Sequence, residues 1–185
     1  MSETEKEKMK SGELYSAFES TLVSERASAH KLFTELNKLG KSTPEAREEI
    51  LRLLLGKCGA NIWVESPFFC DYGYMISVGD NVFINFNCTI LDAAAVSIGN
   101  DVLIGPNVQL YSATHPTDSA VRAKGLEYAK PISIENNVWV GGSVVICPGV
   151  TIGARSVIGA GSVVTKDIPP DTVAAGNPCK IIKQV

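Results

Sequence analysis

The chain has 185 residues and a net charge of −3, a length that suits one domain or a domain with a small appendage. A slight acidic balance leaves no basic footprint for nucleic acid. No apolar run approaches the ~18 residues that a membrane-spanning helix needs. The charged residues 1–10 contain no apolar stretch that reads as a secretory signal. Five cysteines, Cys58, Cys70, Cys88, Cys147 and Cys179, are scattered without a CxxC pair, so reduced thiols and a cytoplasmic protein are expected.

Residues 1–60 read as a small helical subdomain. Ser2-x-x-Glu5 and Thr4-x-x-Glu7 are capping-box patterns for a first helix that Gly12 ends. Leu32, Leu36 and Leu39 share one face of a second helix, which Gly40 stops. Thr43 followed by Pro44 starts a third helix, with Ala46, Ile50, Leu53 and Leu54 as its apolar stripe and Gly56 or Gly59 as its end. The expected role of this subdomain is to cap an open end of the repetitive region after residue 60.

From about Asn61 the pattern changes. Aliphatic residues recur every six positions: Val78, Ile84, Ile90, Val96; then, shifted by two, Ile98, Ile104, Leu110; then Ile134, Val140, Ile146, Ile152, Ile158 and Val164. A period of six belongs to neither a helix nor a simple strand; it is the signature of a hexapeptide β-solenoid. Four positions after each late rung stand Val138, Val144, Val150, Ser156, Ser162 and Ile168. Corner residues fall between, as in Asp80-Asn81, Asn100-Asp101 and Asn136-Asn137, because Asn and Asp tolerate positive φ and bond back to their own backbone. Three hexapeptides make one turn of a triangular prism. The second domain therefore spans 61–185, with a tail at 171–185.

The rungs break once. Leu110 and Ile134 are separated by four hexapeptide lengths, yet 111–131 lacks the pattern and carries Thr114-His115-Pro116, Asp118, Arg122, Lys124 and Glu127. A long excursion from a regular solenoid is usually functional. Of the two histidines, His30 reads as a surface helix residue. His115 opens the excursion, and imidazole titrates near neutrality, which suits a general base.

Several segments carry a family likeness: GELY (Gly12–Tyr15), CDYGY (Cys70–Tyr74), NFNCTILD (Asn85–Asp92), ATHP (Ala113–Pro116), NNVWVGG (Asn136–Gly142), PGVTIG (Pro148–Gly153) and VVTKDIPPDTVAAGNPCKII (Val163–Ile182). On these the chain resembles the maltose and galactoside O-acetyltransferases, a branch of the hexapeptide acyltransferases. The resemblance implies a left-handed parallel β-helix, the hand being an exception to the usual right-handed crossover. It also implies a homotrimer with active sites between neighbouring subunits. Acetyl-CoA would be the co-substrate and a sugar hydroxyl the acceptor, with no metal.

By the same resemblance His115 is the general base, and Asn85 supports substrate or transition state. Asp71 and Asp92 match acceptor-pocket positions. The galactoside enzymes have serine at the position of Asp71, which favours a maltose-like acceptor. They have an acidic residue at the position of Ala17, a role that Glu19 is near enough to take over. Gly142, Ala160, Thr165, Lys166, Lys180 and Lys183 match acetyl-CoA positions, the lysines as point charges for phosphates. Trp139 either walls the thiol end or only packs.

Other readings stay open at this level. The same solenoid can carry a zinc carbonic anhydrase, which needs about three ligands where this chain offers one convincing histidine. It can serve another acceptor such as an antibiotic, galactoside or amino sugar, or form a non-catalytic scaffold. Cys88, near Asn85, is an alternative nucleophile, though a small buried hydrophobe is the plainer role.

Overall fold

The computed structural model describes residues 3–40 and 43–185. Thr4 caps α1 (Glu5–Ser11) in a complete capping box with Glu7, and Gly12 ends it at φ 81°. The Ser2 box lies outside the described residues. The second helix, α2, runs Ser20–Lys38 and is capped by Glu19, whose carboxylate accepts the N–H groups of Thr21 and Leu22. The third, α3, spans Pro44–Leu54 with Pro in its first turn as expected. The Thr43 hydroxyl bonds back to the Gly40 carbonyl and does not cap it.

The buried stripe of α3 differs from the expected one. It comprises Arg47, Ile50, Leu51 and Leu54, while Leu53 is exposed. Arg47 lies inward because its guanidinium donates to the carbonyls of Leu36 and Leu39 at the end of α2, and to that of Val64.

Past α3 the chain winds through about six coils of a triangular β-solenoid. The first wall stacks Lys57–Cys58, Ile76–Val78, Val96–Ile98, Ile132–Ile134 and Thr151–Ile152 in parallel. The second stacks Trp63–Val64, Phe83–Ile84, Leu103–Ile104, Trp139–Val140, Val157–Ile158 and Thr172–Ala175. The third stacks Phe68–Cys70, Cys88–Leu91, Gln109–Tyr111, Val145–Ile146 and Val163–Val164. Coiling thus begins at Lys57, a few residues earlier than the pattern suggested. Each step of six moves one wall: Ile134 is on the first, Val140 on the second, Ile146 on the third, and Ile152 back on the first, directly paired with Ile134. All the aliphatic rungs are buried.

The corners follow from their chemistry. Asn61, Asn81, Asp101 and Asn137 all sit near φ +57° in one column, and Asn61 and Asn81 each donate to the side chain one coil on. At Gly105 a Cβ would lie 2.6 Å from the Gly142 nitrogen, so only glycine lets the coils close up there.

The N-terminal residues do two separate jobs. Residues of α2 and α3, among them Phe33, Leu36, Ile50 and Leu54, join the ladder in one continuous core and cover the first coil. Met9 of α1, Tyr15 and Leu22 form a second cluster with Tyr72, Ala93, Ala94 and Ala129, on one corner of the prism.

Candidate active site

The two-residue shift in the ladder has a location. Val78 to Ile84 and Ile84 to Ile90 are six residues each, but Ile90 to Ile98 is eight, so the extra residues enter between the third wall and the first. That corner widens at residues 71–75, again at 91–95, and then extrudes 111–131. Three successive coils therefore build one shelf.

The excursion is ordered. Ala113–Thr114 and Leu126–Ala129 pair antiparallel, and α4 (Ser119–Arg122), capped by Asp118, closes the hairpin. Tyr15–Ser16 adds as a third strand, Tyr15 opposite Glu127. The GELY segment is thus a sheet partner that holds the histidine loop against the solenoid.

His115 follows the strand Ala113–Thr114 and is exposed, facing a cleft of 430 Å³. Asp71, Glu127 and Arg26 line the same cleft, with Tyr72, Tyr111 and Ala17 as further wall and Phe18, 79% exposed, at its rim. The Glu127 carboxylate approaches His115 Nε2 to 3.8 Å with one oxygen and accepts the Tyr15 hydroxyl with the other. Arg26 donates to the Tyr72 hydroxyl at 2.6 Å and to the Ala17 carbonyl at 2.6 Å, tying α2 to the shelf. Burial pushes Asp71 up to about 6, against the pull of Arg26 and with a push from Glu127. The cleft therefore holds an imidazole, two carboxylates able to accept from hydroxyls, and a guanidinium.

Asp92 does not line this cleft. It is fully buried, and its carboxylate accepts the backbone N–H groups of Asp71, Tyr72 and Met75. Burial raises it to about 6, partly offset by the Tyr72 N–H. It shapes the shelf that presents Asp71. Glu19 is engaged in capping α2, so the carboxylate beside Ala17 is supplied by Asp71 and Glu127. Sequence reasoning did not assign Tyr15, Arg26, Phe18 or Glu127 to the site. The signal available was the ladder shift, which marks the corner where these elements meet.

The remaining candidates lie elsewhere on the same wall. Strands of the third wall start at the corner of Asn85 and end at the corner of His115. Asn85, Gly105, Gly141 and Gly159 form one column along the starting edge, each donating its N–H to the next coil. Gly142 and Ala160 follow that column, and Lys180 pairs with Ala175. Lys183 pairs with Val173 on the outer strand Lys180–Gln184, while Thr165 and Lys166 sit at the far edge, two coils beyond the histidine loop. Within one chain Asn85 and His115 are thus separated by the width of a wall. Trp139 projects outward from the second wall, 54% exposed, in line with Phe83 and Leu103. A larger groove of 480 Å³ on the first wall, over Ser77, Ser97 and Ser133, is lined by Lys57 and Glu135 but by no histidine. Among the described residues no cluster of His, Cys, Asp or Glu could hold a metal ion.

Family models match three stretches: a maltose acetyltransferase hexapeptide capping motif over 8–59, the hexapeptide repeat of succinyl-transferase over 75–112, and bacterial transferase hexapeptide repeats over 131–166. Galactoside O-acetyltransferase of Escherichia coli K12 is 46% identical over 179 residues, covering 97% of this chain and 88% of that protein. The chain belongs to the maltose and galactoside O-acetyltransferase family. Maltose O-acetyltransferase of Clostridium difficile 630 is similar in structure with a TM-score of 0.98 and 52% identity, over 100% of this chain and 99% of the other. A hexapeptide-repeat acetyltransferase of Vibrio cholerae, solved with acetyl coenzyme A, gives 0.91 and 42%, over 98% of each chain. This family member is an acetyl-CoA-dependent O-acetyltransferase. No described helix of the acetyltransferase is long and apolar enough to cross a membrane.

Proposed function

We propose that this acetyltransferase acts on a sugar hydroxyl of maltose or glucose type, with His115 as general base. The observation that carries this reading is the cleft itself, where the imidazole shares one 430 Å³ space with Asp71, Glu127 and Arg26. Carboxylates and a guanidinium are the groups that bind vicinal hydroxyls by accepting and donating at once. The exposed Phe18 at the rim adds an apolar face for a pyranose ring.

In the proposed reaction His115 takes the proton from the acceptor hydroxyl as its oxygen attacks the thioester carbonyl carbon. The carbonyl oxygen becomes an oxyanion that needs a fixed donor. Asn85 suits that role: its Oδ1 already accepts the Phe86 N–H at 2.8 Å, which makes the amide nitrogen the outward donor. The C–S bond then breaks, and the thiolate leaves with the proton that His115 holds. The glycine-lined edge at Gly142 and Ala160 fits a thin pantetheine arm, and a Cβ on Gly142 would already press on Pro106 at 3.3 Å. Exposed Lys166, Lys180 and Lys183 suit phosphates, with Thr165 beside them.

Because Asn85 and His115 stand on opposite edges of one wall, the reading calls for a homotrimer in which one subunit's His115 meets the neighbour's Asn85. The outward row Trp63, Phe83, Leu103 and Trp139 supports burial of the second wall, whereas the first wall shows Ser77, Ser97 and Ser133. Five free cysteines suit a reducing, cytoplasmic setting. The test is His115→Ala with a panel of sugars and alcohols. Turnover should fall roughly 10²–10⁴-fold with acetyl-CoA binding kept, the usual weight of one acid–base group. Near-wild-type turnover in the folded variant removes His115 from the mechanism.

A further inference from the structure

We propose that Glu127, held by Tyr15, is the positioning residue that orients His115 and sets its tautomer. The inference rests on His115 being the base. Tyr15 and Glu127 are cross-strand partners in the small sheet that carries the histidine loop. Tyr15 is fully buried, and burial raises its phenol far above the usual range, so the hydroxyl is a permanent donor. It occupies Glu127 Oε1, which leaves Oε2 directed at His115 Nε2, 3.8 Å away. Glu127 is mostly buried, with its side chain 19% exposed, whereas that of His115 is 58% exposed. The fixed member is therefore the carboxylate, and the adjustable one is the imidazole. Such contacts are often long in an unliganded site and tighten when substrate binds.

A carboxylate beside one ring nitrogen keeps the proton there and leaves the lone pair on the other. Here Nε2 keeps its hydrogen and Nδ1 receives the proton of the acceptor hydroxyl. The other charged and titratable groups around the pair are Asp71 from the shelf, Arg26 from α2, and the phenols Tyr72 and Tyr111. Arg26 already serves Tyr72 and Ala17, and of the two carboxylates in the cleft Glu127 is the one within 4 Å of the ring.

Glu127→Gln is the informative substitution. Its carbonyl oxygen can still accept from Tyr15, so the sheet survives, but its NH₂ then faces the imidazole as a donor and favours the opposite tautomer. We expect kcat to fall about 10–100-fold, less than for a deeply buried triad carboxylate, with the KM for acetyl-CoA and the melting temperature unchanged. Glu127→Asp should recover part of the loss. The second readout is independent of turnover. With two histidines in the chain, ¹⁵N imidazole spectra at pH 9 resolve both rings, and His115→Ala assigns them. The wild type should show Nε2–H at His115, and Glu127→Gln should move it toward Nδ1–H. Tyr15→Phe, which frees Oε1 and leaves no buried phenol unpaired, serves if the glutamine variant does not fold, and should weaken the preference for Nε2–H. A His115→Ala enzyme at full rate sinks the base reading and this inference with it. An inactive His115→Ala, with tautomer and kcat indifferent to both Glu127 variants, sinks this inference alone.

Discussion

Asp92 holds Asp71 at the edge of the cleft without entering the cleft itself. One carboxylate oxygen accepts the Asp71 N–H at 3.0 Å and the Tyr72 N–H at 2.8 Å, and the other accepts the Met75 N–H at 3.3 Å. The widened corner lacks the strand pairing that satisfies its neighbours, so a side chain supplies the acceptor. Asp92→Ala would leave buried N–H groups unpaired. It should destabilise the protein by about 2–5 kcal/mol, given the usual penalty of an unmet buried donor. Urea denaturation checks this, and an unchanged midpoint would mean that the corner stands without Asp92.

Asp71 gives a pH signature. Its folded value of about 6 lies above the ordinary 3.8, so folding disfavours its ionised form. Its contribution to stability is complete below pH ~4 and is lost as pH rises through ~6. Asp71→Asn cannot ionise and escapes that loss. At pH 7.5 its melting temperature should exceed that of the wild type by about 2–6 °C, and at pH 4 the two should converge. A constant offset at both pH values would show that Asp71 titrates normally in the folded protein. The proposed acceptor role of Asp71 predicts that activity of the same variant falls.

Transfer should proceed without an acetyl-enzyme. Cys88 is buried, and its thiol, pushed up to about 11 by burial, carries almost no thiolate at neutral pH. The other four cysteines are also raised by burial. Initial-rate plots against both substrates should therefore intersect, as for a ternary complex. Parallel lines, or an acetyl group on Cys88 by mass spectrometry, would establish a covalent route.

Subunit mixing tests the shared site. In the proposed homotrimer one contact is repeated three times, each joining the His115 edge of one subunit to the Asn85 edge of the next. Inactive His115→Ala and inactive Asn85→Ala subunits, unfolded together in equal amounts and refolded, should assemble at random. About one interface in four then pairs an intact His115 with an intact Asn85, so activity should return to about a quarter of wild type. No recovery in a mixture shown to be trimeric would place both residues in the same subunit's site.

The sequence alone determined the solenoid, because a six-residue period is set by local geometry: one inward aliphatic, one corner and one short strand, repeated. Ile134, Val140 and Ile146 take successive walls as their spacing requires, and the Asn and Gly corners follow from φ alone. The His115 loop was legible for the same reason, as the one long stretch of the solenoid without rungs. Tertiary structure decided what surrounds that histidine. Glu127 read as one more charge in a loop until antiparallel pairing set it opposite Tyr15, 112 residues away. Asp92 looked like an acceptor-pocket residue, but its place inside the corner turned it toward backbone N–H groups. Arg47 took a buried position that an apolar stripe would assign to a hydrophobe, because the carbonyls ending α2 converge there. Contacts of this kind join segments distant in the chain and depend on the direction of a side chain, which a local repeat does not encode.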